Sequence, residues 1–165
     1  MVSPIKKFFL FLSCAFLWAC TPAEWPSYTV ADGAITLSLP QAPQTEQQTL
    51  ELVGRSVKFE SQVLHQGEQV YRFNYYPLSS EDDAEQILQA LLLYTQKILQ
   101  LPEETKLQKV HDYQLSNTLS QAGKNNSVKV RIVLNQKFLI FSYAFTNQES
   151  QAADADKFLQ SLVLK

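Results

Sequence analysis

The 165-residue chain has few of the residues on which catalytic, metal-binding and nucleotide-binding sites depend. It contains two cysteines, two histidines and four glycines, and charged residues make up 18% of it, below the usual quarter. The scarcity of glycine excludes a phosphate-binding loop, and neither GxGxxG nor GxxxxGK[ST] occurs. The net charge of −2 provides no basic surface, so no nucleic-acid partner is expected.

Both cysteines, Cys14 and Cys20, lie near the N-terminus, so the chain after Cys20 contains no thiol and no disulfide. Packing alone must hold that part of the chain together. A zinc site would require more nitrogen or sulfur ligands than His65 and His111 supply. The sequence therefore predicts no metal site and no cofactor.

The N-terminal segment has the order of an export signal. Lys6 and Lys7 form a positive region, and residues 8–19 are apolar except for Ser13. This run is shorter than the ~20 apolar residues that a membrane-spanning helix needs. A positive region, an apolar run and a small residue at the end are typical of a cleaved secretory signal peptide.

The end of this segment, Leu17-Trp18-Ala19-Cys20, resembles the bacterial lipobox, in which a leucine and two small residues precede an invariant cysteine. Leu17 and Ala19 fit that pattern, and Trp18 departs from it. The resemblance implies that residues 1–19 are removed as a lipoprotein signal peptide and that Cys20 receives acyl chains, palmitate among them. A plain secretory signal, or an N-terminal membrane anchor with a chance cysteine, are the alternatives.

Cleavage before Cys20 removes two lysines and no acidic residue, so the basic count falls from 14 to 12 against 16 acidic residues, about −4. Such a surface does not attract anionic headgroups, so attachment would rest on more than one acyl chain. Residues 20–27 contain Pro22 and Pro26 and are predicted as a tether, and residues 28–165 as one domain. By the same resemblance, Thr21 after the cysteine favours the periplasmic side of the outer membrane in a Gram-negative cell.

From Tyr28 onward, the apolar pattern predicts an α+β domain whose mostly antiparallel sheet is flanked by helices, because long βαβ alternation is absent. Strands are predicted over residues 34–39, 57–63, 70–76, 107–119, 128–132 and 138–145. The last of these is apolar on both faces, which indicates a central position. Residues 41–48 are predicted as a polar loop, and residues 65–68, 123–126 and 135–136 as turns.

Two helices are predicted. The first is capped by Ser80 and ended by Pro102, and it is amphipathic. Its apolar positions are Ile87, Leu88, Leu91, Leu92, Ile98 and Leu99. The second covers residues 152–162 and directs Phe158, Leu159 and Leu162 inward.

The order of these elements resembles the PsbP-like superfamily. The resemblance is carried by Tyr28, Gly33 and the Ile35, Leu37, Leu39, Pro40 strand, by the hairpin with Tyr71 and Tyr75, by the long helix, and by Phe158-Leu159 with Ser161-Leu162. It covers most of residues 28–165 and rests on apolar positions. It implies an α/β/α sandwich and a binding or assembly role rather than an enzymatic one, and it assigns no functional residue.

Several polar groups are candidates for chemistry, and each has a simpler structural interpretation. His111, Asp112 and Ser116 contain the groups of a catalytic triad, but adjacent strand residues face opposite sides. The acidic cluster at residues 81–85 and the pair Asp154 and Asp156 lack the glycine turn of a calcium loop, and acids complement a helix N-terminus. No catalytic residue is therefore predicted.

An aromatic set could line a ligand groove, although core packing is the more common use of such strand residues. The set comprises Tyr71, Phe73, Tyr75, Tyr76, Phe138, Phe141, Tyr143 and Phe145. The favoured function is a non-enzymatic envelope module that binds or assembles a protein partner. The alternatives are a carrier of a small apolar ligand or lipid, which a deep apolar pocket would favour, and a hydrolase, which needs an acid, a base and a nucleophile in one cleft.

Overall fold

The computed structural model describes residues 24–101, 112–121, 124–147 and 151–165. Within these ranges the chain forms nine strands and two helices. The strands are β1 (Ser27–Val30), β2 (Ile35–Ser38), β3 (Gln44–Leu52), β4 (Arg55–Gln66), β5 (Gln69–Pro77), β6 (Asp112–Gln121), β7 (Lys124–Leu134), β8 (Phe138–Thr146) and β9 (Val163–Leu164). The helices are α1 (Ala84–Ile98) and α2 (Ala152–Gln160). None of the described helices is both long and apolar enough to cross a membrane.

The strands form two separate antiparallel sheets. The large sheet has the order β3-β4-β5-β8-β7-β6, and the small sheet has the order β1-β2-β9. This arrangement confirms the prediction of an α+β domain with a mostly antiparallel sheet. Strand β8 lies between β5 and β7, which agrees with its apolar character on both faces.

Helix α1 covers one face of the large sheet. Its stripe at i, i+3 and i+4 buries Leu88, Leu91 and Leu92, each at most 1% exposed. These side chains join Phe59 of β4 and Ile132 of β7 in one apolar core. The helix is therefore held by packing along its length, as its apolar spacing predicts.

The small sheet and α2 cover the opposite face of the large sheet. Ile35 and Leu37 of β2 and Phe158 of α2 are buried in a second core together with Tyr71 of β5. The domain thus has three layers, with the large sheet in the middle. Trp25 packs edge-on against Tyr71, with ring centroids 6.0 Å apart, so the packed domain extends into residues assigned above to the tether.

The prediction of a polar loop over residues 41–48 was wrong, because Gln44–Leu52 forms strand β3. This strand lies at the edge of the large sheet, and most of its residues are exposed. Only Leu50 and Leu52 are buried, so the alternating pattern that identifies a strand is absent over its first half. Pairing with the longer β4 determines its structure instead.

Two predicted turns were also misplaced. His65 and Gln66 belong to β4, and the turn itself contains only Gly67 and Glu68. Lys124 already pairs with Gln121 in the β6–β7 ladder, so residues 124–126 continue the strand. In both places polar residues extend a hairpin ladder, and polarity alone is a poor indicator of where a strand ends. The short connection at residues 135–136 is confirmed, because the Asn135 side chain accepts hydrogen bonds from the backbone N–H groups of Lys137 and Phe138.

Candidate apolar binding pocket

The start of α1 is fixed by two acidic side chains. Asp83 is the N-cap, and its Oδ1 accepts a hydrogen bond of 3.0 Å from the Gln86 backbone N–H, so Ser80 is not the cap. Asp82 accepts hydrogen bonds from the Ser79 backbone N–H at 2.8 Å and from Arg55 Nη2 at 2.7 Å. These hydrogen bonds lower the pKa of Asp82, and the bond from the Ser79 backbone has the largest effect. The acidic cluster therefore anchors the helix to the β4 hairpin.

The C-terminal end of α1 and the large sheet enclose an apolar cavity of about 260 Å³ between them. The cavity lies on the helix side of the sheet and is lined by residues of four elements. Helix α1 contributes Tyr94, Thr95, Ile98 and its C-cap residue Leu99, β7 contributes Val128 and Val130, β8 contributes Phe141, Tyr143 and Phe145, and β3 contributes Gln48. The cavity is partly open to solvent, and Ile98 at its rim is 48% exposed.

Ile98 belongs to the predicted inward stripe but is about half exposed. Successive residues on a helix are 100° apart, so Ile98 has nearly the same angular position as the buried Ile87 and Leu91, and its exposure comes from its place at the end of the helix beside the open cavity. Leu93, by contrast, is 66% exposed and lies on the side of α1 that faces away from the sheet. The two exposed apolar residues of α1 therefore differ in position, because only Ile98 borders the cavity.

A few polar groups are present at the apolar cavity. Burial raises the pKa of Tyr143, against the opposing effect of the neighbouring Arg72 guanidinium, so the phenol stays protonated at neutral pH. Arg72 Nη2 lies 2.9 Å from Glu46 Oε2, so the guanidinium forms an ion pair with this carboxylate. Gln48 Oε1 is buried and has no hydrogen-bond partner within the described chain. Apolar walls with a few polar groups are the usual composition of a binding pocket.

A second, polar groove of about 290 Å³ lies on the other side of the large sheet, between β6, β7 and α2. Its charged groups are Lys129 and Asp156, whose Nζ and Oδ2 atoms are 2.6 Å apart. Because these two charges neutralise each other, the groove offers little to a charged ligand. It is the weaker candidate site.

Of the candidate triad, the structure describes Asp112 and Ser116. Asp112 Oδ1 and Oδ2 accept hydrogen bonds from Arg131 Nε at 3.0 Å and Nη2 at 2.7 Å, which occupy the carboxylate. Ser116 is exposed on β6. His111 lies outside the described residues, as does Cys20, and His65 is exposed near the end of β4. Nowhere in the described ranges do three or more His, Cys, Asp or Glu side chains gather as metal ligands would.

The aromatic set is divided between the two cores. Tyr71 and Phe73 point toward the small sheet, and they are at most 1% exposed. Phe141, Tyr143 and Phe145 point toward α1 and line the cavity. Core packing thus accounts for Tyr71 and Phe73, while the other three residues line a cavity whose use as a ligand site stays a prediction. Sequence alone did not locate the cavity, since Gln48 and Thr95 come from distant segments and carry no motif.

Comparison of the chain with protein-family models, with curated proteins and with solved structures found no match.

Proposed function

We propose that the chain is a lipid-anchored, non-enzymatic binding module of the bacterial cell envelope, and that it binds a protein partner through the apolar cavity at the end of α1. The cavity is the observation that carries this proposal. It combines aromatic walls from β8 with an exposed rim residue, Ile98. Protein partners commonly insert one large side chain into such a pocket, where most of the binding energy is concentrated.

The size of the cavity favours a partner side chain over a free ligand. Its volume of about 260 Å³ lies below the ~300–1,000 Å³ usual for small-molecule sites. A cavity of about 150 Å³ already holds benzene, so a Phe, Leu or Trp side chain would fit. The opening beside Ile98 allows the partner backbone to remain outside.

Two features support a non-enzymatic role. The candidate acid Asp112 is engaged by Arg131, and Asp82 is engaged by Ser79 and Arg55. Most of the side chains that line the cavity are apolar, and among the lining residues that the structure describes only the phenols of Tyr94 and Tyr143 are titratable. We therefore infer binding rather than catalysis.

The lipid anchor and the finer fold are part of the same proposal. The lipobox-like Leu17-Trp18-Ala19-Cys20 supports acylation of Cys20, and a Cys20→Ser variant should lose metabolic labelling by a fatty acid. Equal labelling of both proteins would contradict the anchor. The three layers and the long α1 support a PsbP-like domain, which an experimental structure superposed on members of that superfamily would test.

The binding site can be tested with two helix positions. A photo-crosslinking amino acid at position 98 should capture an envelope protein in intact cells, whereas the same group at position 93 should not. Ile98→Asp should abolish the interaction and Leu93→Asp should preserve it, because both side chains are exposed and only Ile98 borders the cavity. Equal crosslinking from both positions would contradict the proposed site.

A second candidate function is the carriage of a small apolar ligand or lipid. The unpartnered Gln48 Oε1 favours it, because a ligand with one hydrogen-bond donor could satisfy that atom. Native mass spectrometry of protein purified without detergent exchange would show a bound small molecule that Ile98→Asp loses. Absence of any adduct, together with a crosslinked protein at position 98, would leave the partner-binding function.

A further inference from the structure

The outward strand residues of the small sheet carry hydroxyl groups, and none of these described residues is charged. Because Ile35 and Leu37 of β2 point into the core, their neighbours point outward. The strand register places these outward residues side by side across β1, β2 and β9. We call this surface the hydroxyl face, and it comprises Ser27, Thr29, Thr36, Ser38 and Val163.

The N-terminal chain enters the domain next to the hydroxyl face. Glu24 and Trp25 border an open groove together with Ser27, Lys157 and Ser161. Lys157 Nζ lies 4.6 Å from the centroid of the Trp25 ring. The chain that precedes Glu24 therefore leaves from the outer layer formed by the small sheet and α2, on the opposite side of the large sheet from α1.

We propose that the hydroxyl face lies on the phospholipid surface to which the protein is anchored. This inference rests on the lipid anchor proposed above and does not depend on the cavity. Three residues separate Cys20 from Glu24, so the four Cα–Cα steps between them can span about 14 Å at most. Because packed layers are spaced by about 10 Å, this length holds the small-sheet layer at the bilayer and keeps the outer side of α1 away from it.

Charge favours the same orientation. The chain after Cys20 is acidic overall, so most of its surface is repelled by anionic headgroups. The residues of the hydroxyl face include no carboxylate, and the exposed hydroxyls of Ser27 and Thr29 can donate hydrogen bonds to headgroup oxygens, whereas Thr36 Oγ1 is buried. Trp25 and Lys157 at its border are residue types that favour the membrane interface, although Glu24 and Asp154 also lie at this end.

The test compares two tryptophan reporters in the mature lipoprotein. Trp25 is the only tryptophan after Cys20, so a Trp25→Phe background carries none. Val163→Trp then places a reporter on the hydroxyl face and Leu93→Trp places one on the outer side of α1, at positions 53% and 66% exposed. Each protein is reconstituted into phosphatidylcholine vesicles that contain a headgroup nitroxide lipid, and quenching of tryptophan emission is measured.

Emission from Val163→Trp should be quenched several times more strongly than emission from Leu93→Trp. Adding Thr29→Glu, an exposed change on the same face, should reduce the quenching of Val163→Trp while the circular-dichroism spectrum stays unchanged. Equal quenching of the two reporters on vesicle-bound protein would overturn the orientation and leave the anchor intact. Protein that does not remain with the vesicles would overturn the anchor, and the orientation with it.

Discussion

Replacing Leu91 with Asp should unfold the domain, whereas the same change at Leu93 should be tolerated. The two leucines lie two residues apart on α1, but Leu91 is 0% exposed and Leu93 is 66% exposed. The pair is matched in residue type, helix and substitution. Only the burial of the side chain differs.

The size of the effect follows from packing. Truncating a buried leucine to alanine costs ~2–5 kcal/mol, and a buried carboxylate without a partner costs more. A domain of this size has a total stability of ~5–15 kcal/mol, so Leu91→Asp should leave little folded protein. At Leu93 the main cost is helix propensity, about 0.5 kcal/mol. Leu91→Ala is the milder variant and should lower the melting temperature by roughly 6–20 °C.

The assay is urea and thermal unfolding of the chain from Glu24, followed by circular dichroism. A Leu91→Asp protein with wild-type stability would refute the packing of α1 against the large sheet. It would also mean that α1 is an exposed interaction helix, which would move the binding site away from the cavity. Similar destabilisation by both substitutions would show that the helix, rather than the core, is sensitive to acid.

Three further outcomes can be measured on the same chain. Asp82→Asn should lower stability at pH 7, and the difference from wild type should shrink below about pH 4. The stabilisation from a lowered folded-state pKa is complete above the unfolded pKa and is lost as the pH falls through the folded pKa. An unchanged difference at pH 3 would contradict this. Val53 has a φ of 57° in the β3–β4 turn before Gly54, a left-handed conformation that asparagine adopts more readily than a β-branched residue. Val53→Asn should therefore raise the free energy of unfolding by about 1 kcal/mol, and a lower value in urea unfolding would contradict that turn geometry. Neither a reductant nor EDTA should shift the melting temperature, because no cysteine follows Cys20. A large fall in the melting temperature on adding EDTA would show a missed metal site.

Much of the layered fold could be predicted because its strongest signals are local. The spacing of Leu88, Leu91 and Leu92 on α1 and the two-sided apolar character of β8 both follow from which faces are buried. Strand β3 could not be predicted in the same way. Its first residues are exposed, and they form a strand because β4 provides a hydrogen-bonding edge.

The cavity was beyond sequence analysis for a related reason. Its walls come from β3, α1, β7 and β8, and only the tertiary fold brings Gln48 near Tyr94 and Tyr143. The aromatic residues gave a partial signal, but alternation alone does not tell which face of β8 meets solvent at the end of α1. Ile98 illustrates the limit, because helical spacing placed it in the core and the structure exposes almost half of it.

The small sheet joins distant parts of the chain, and this determines when it can form. Strand β9 pairs with β2, and the Ser38 backbone N–H donates a hydrogen bond to Ser161 Oγ, 123 positions away in the sequence. Every strand of the large sheet follows β2 and precedes β9 in the chain, so it is synthesised between these partners. If the chain is exported and anchored as proposed above, β2 would be paired with β1 but would lack β9 until the rest of the domain had followed, with Ile35 and Leu37 incompletely covered. Chaperones that bind exposed apolar strands would meet the protein at this stage, and closure by β9 would end their access.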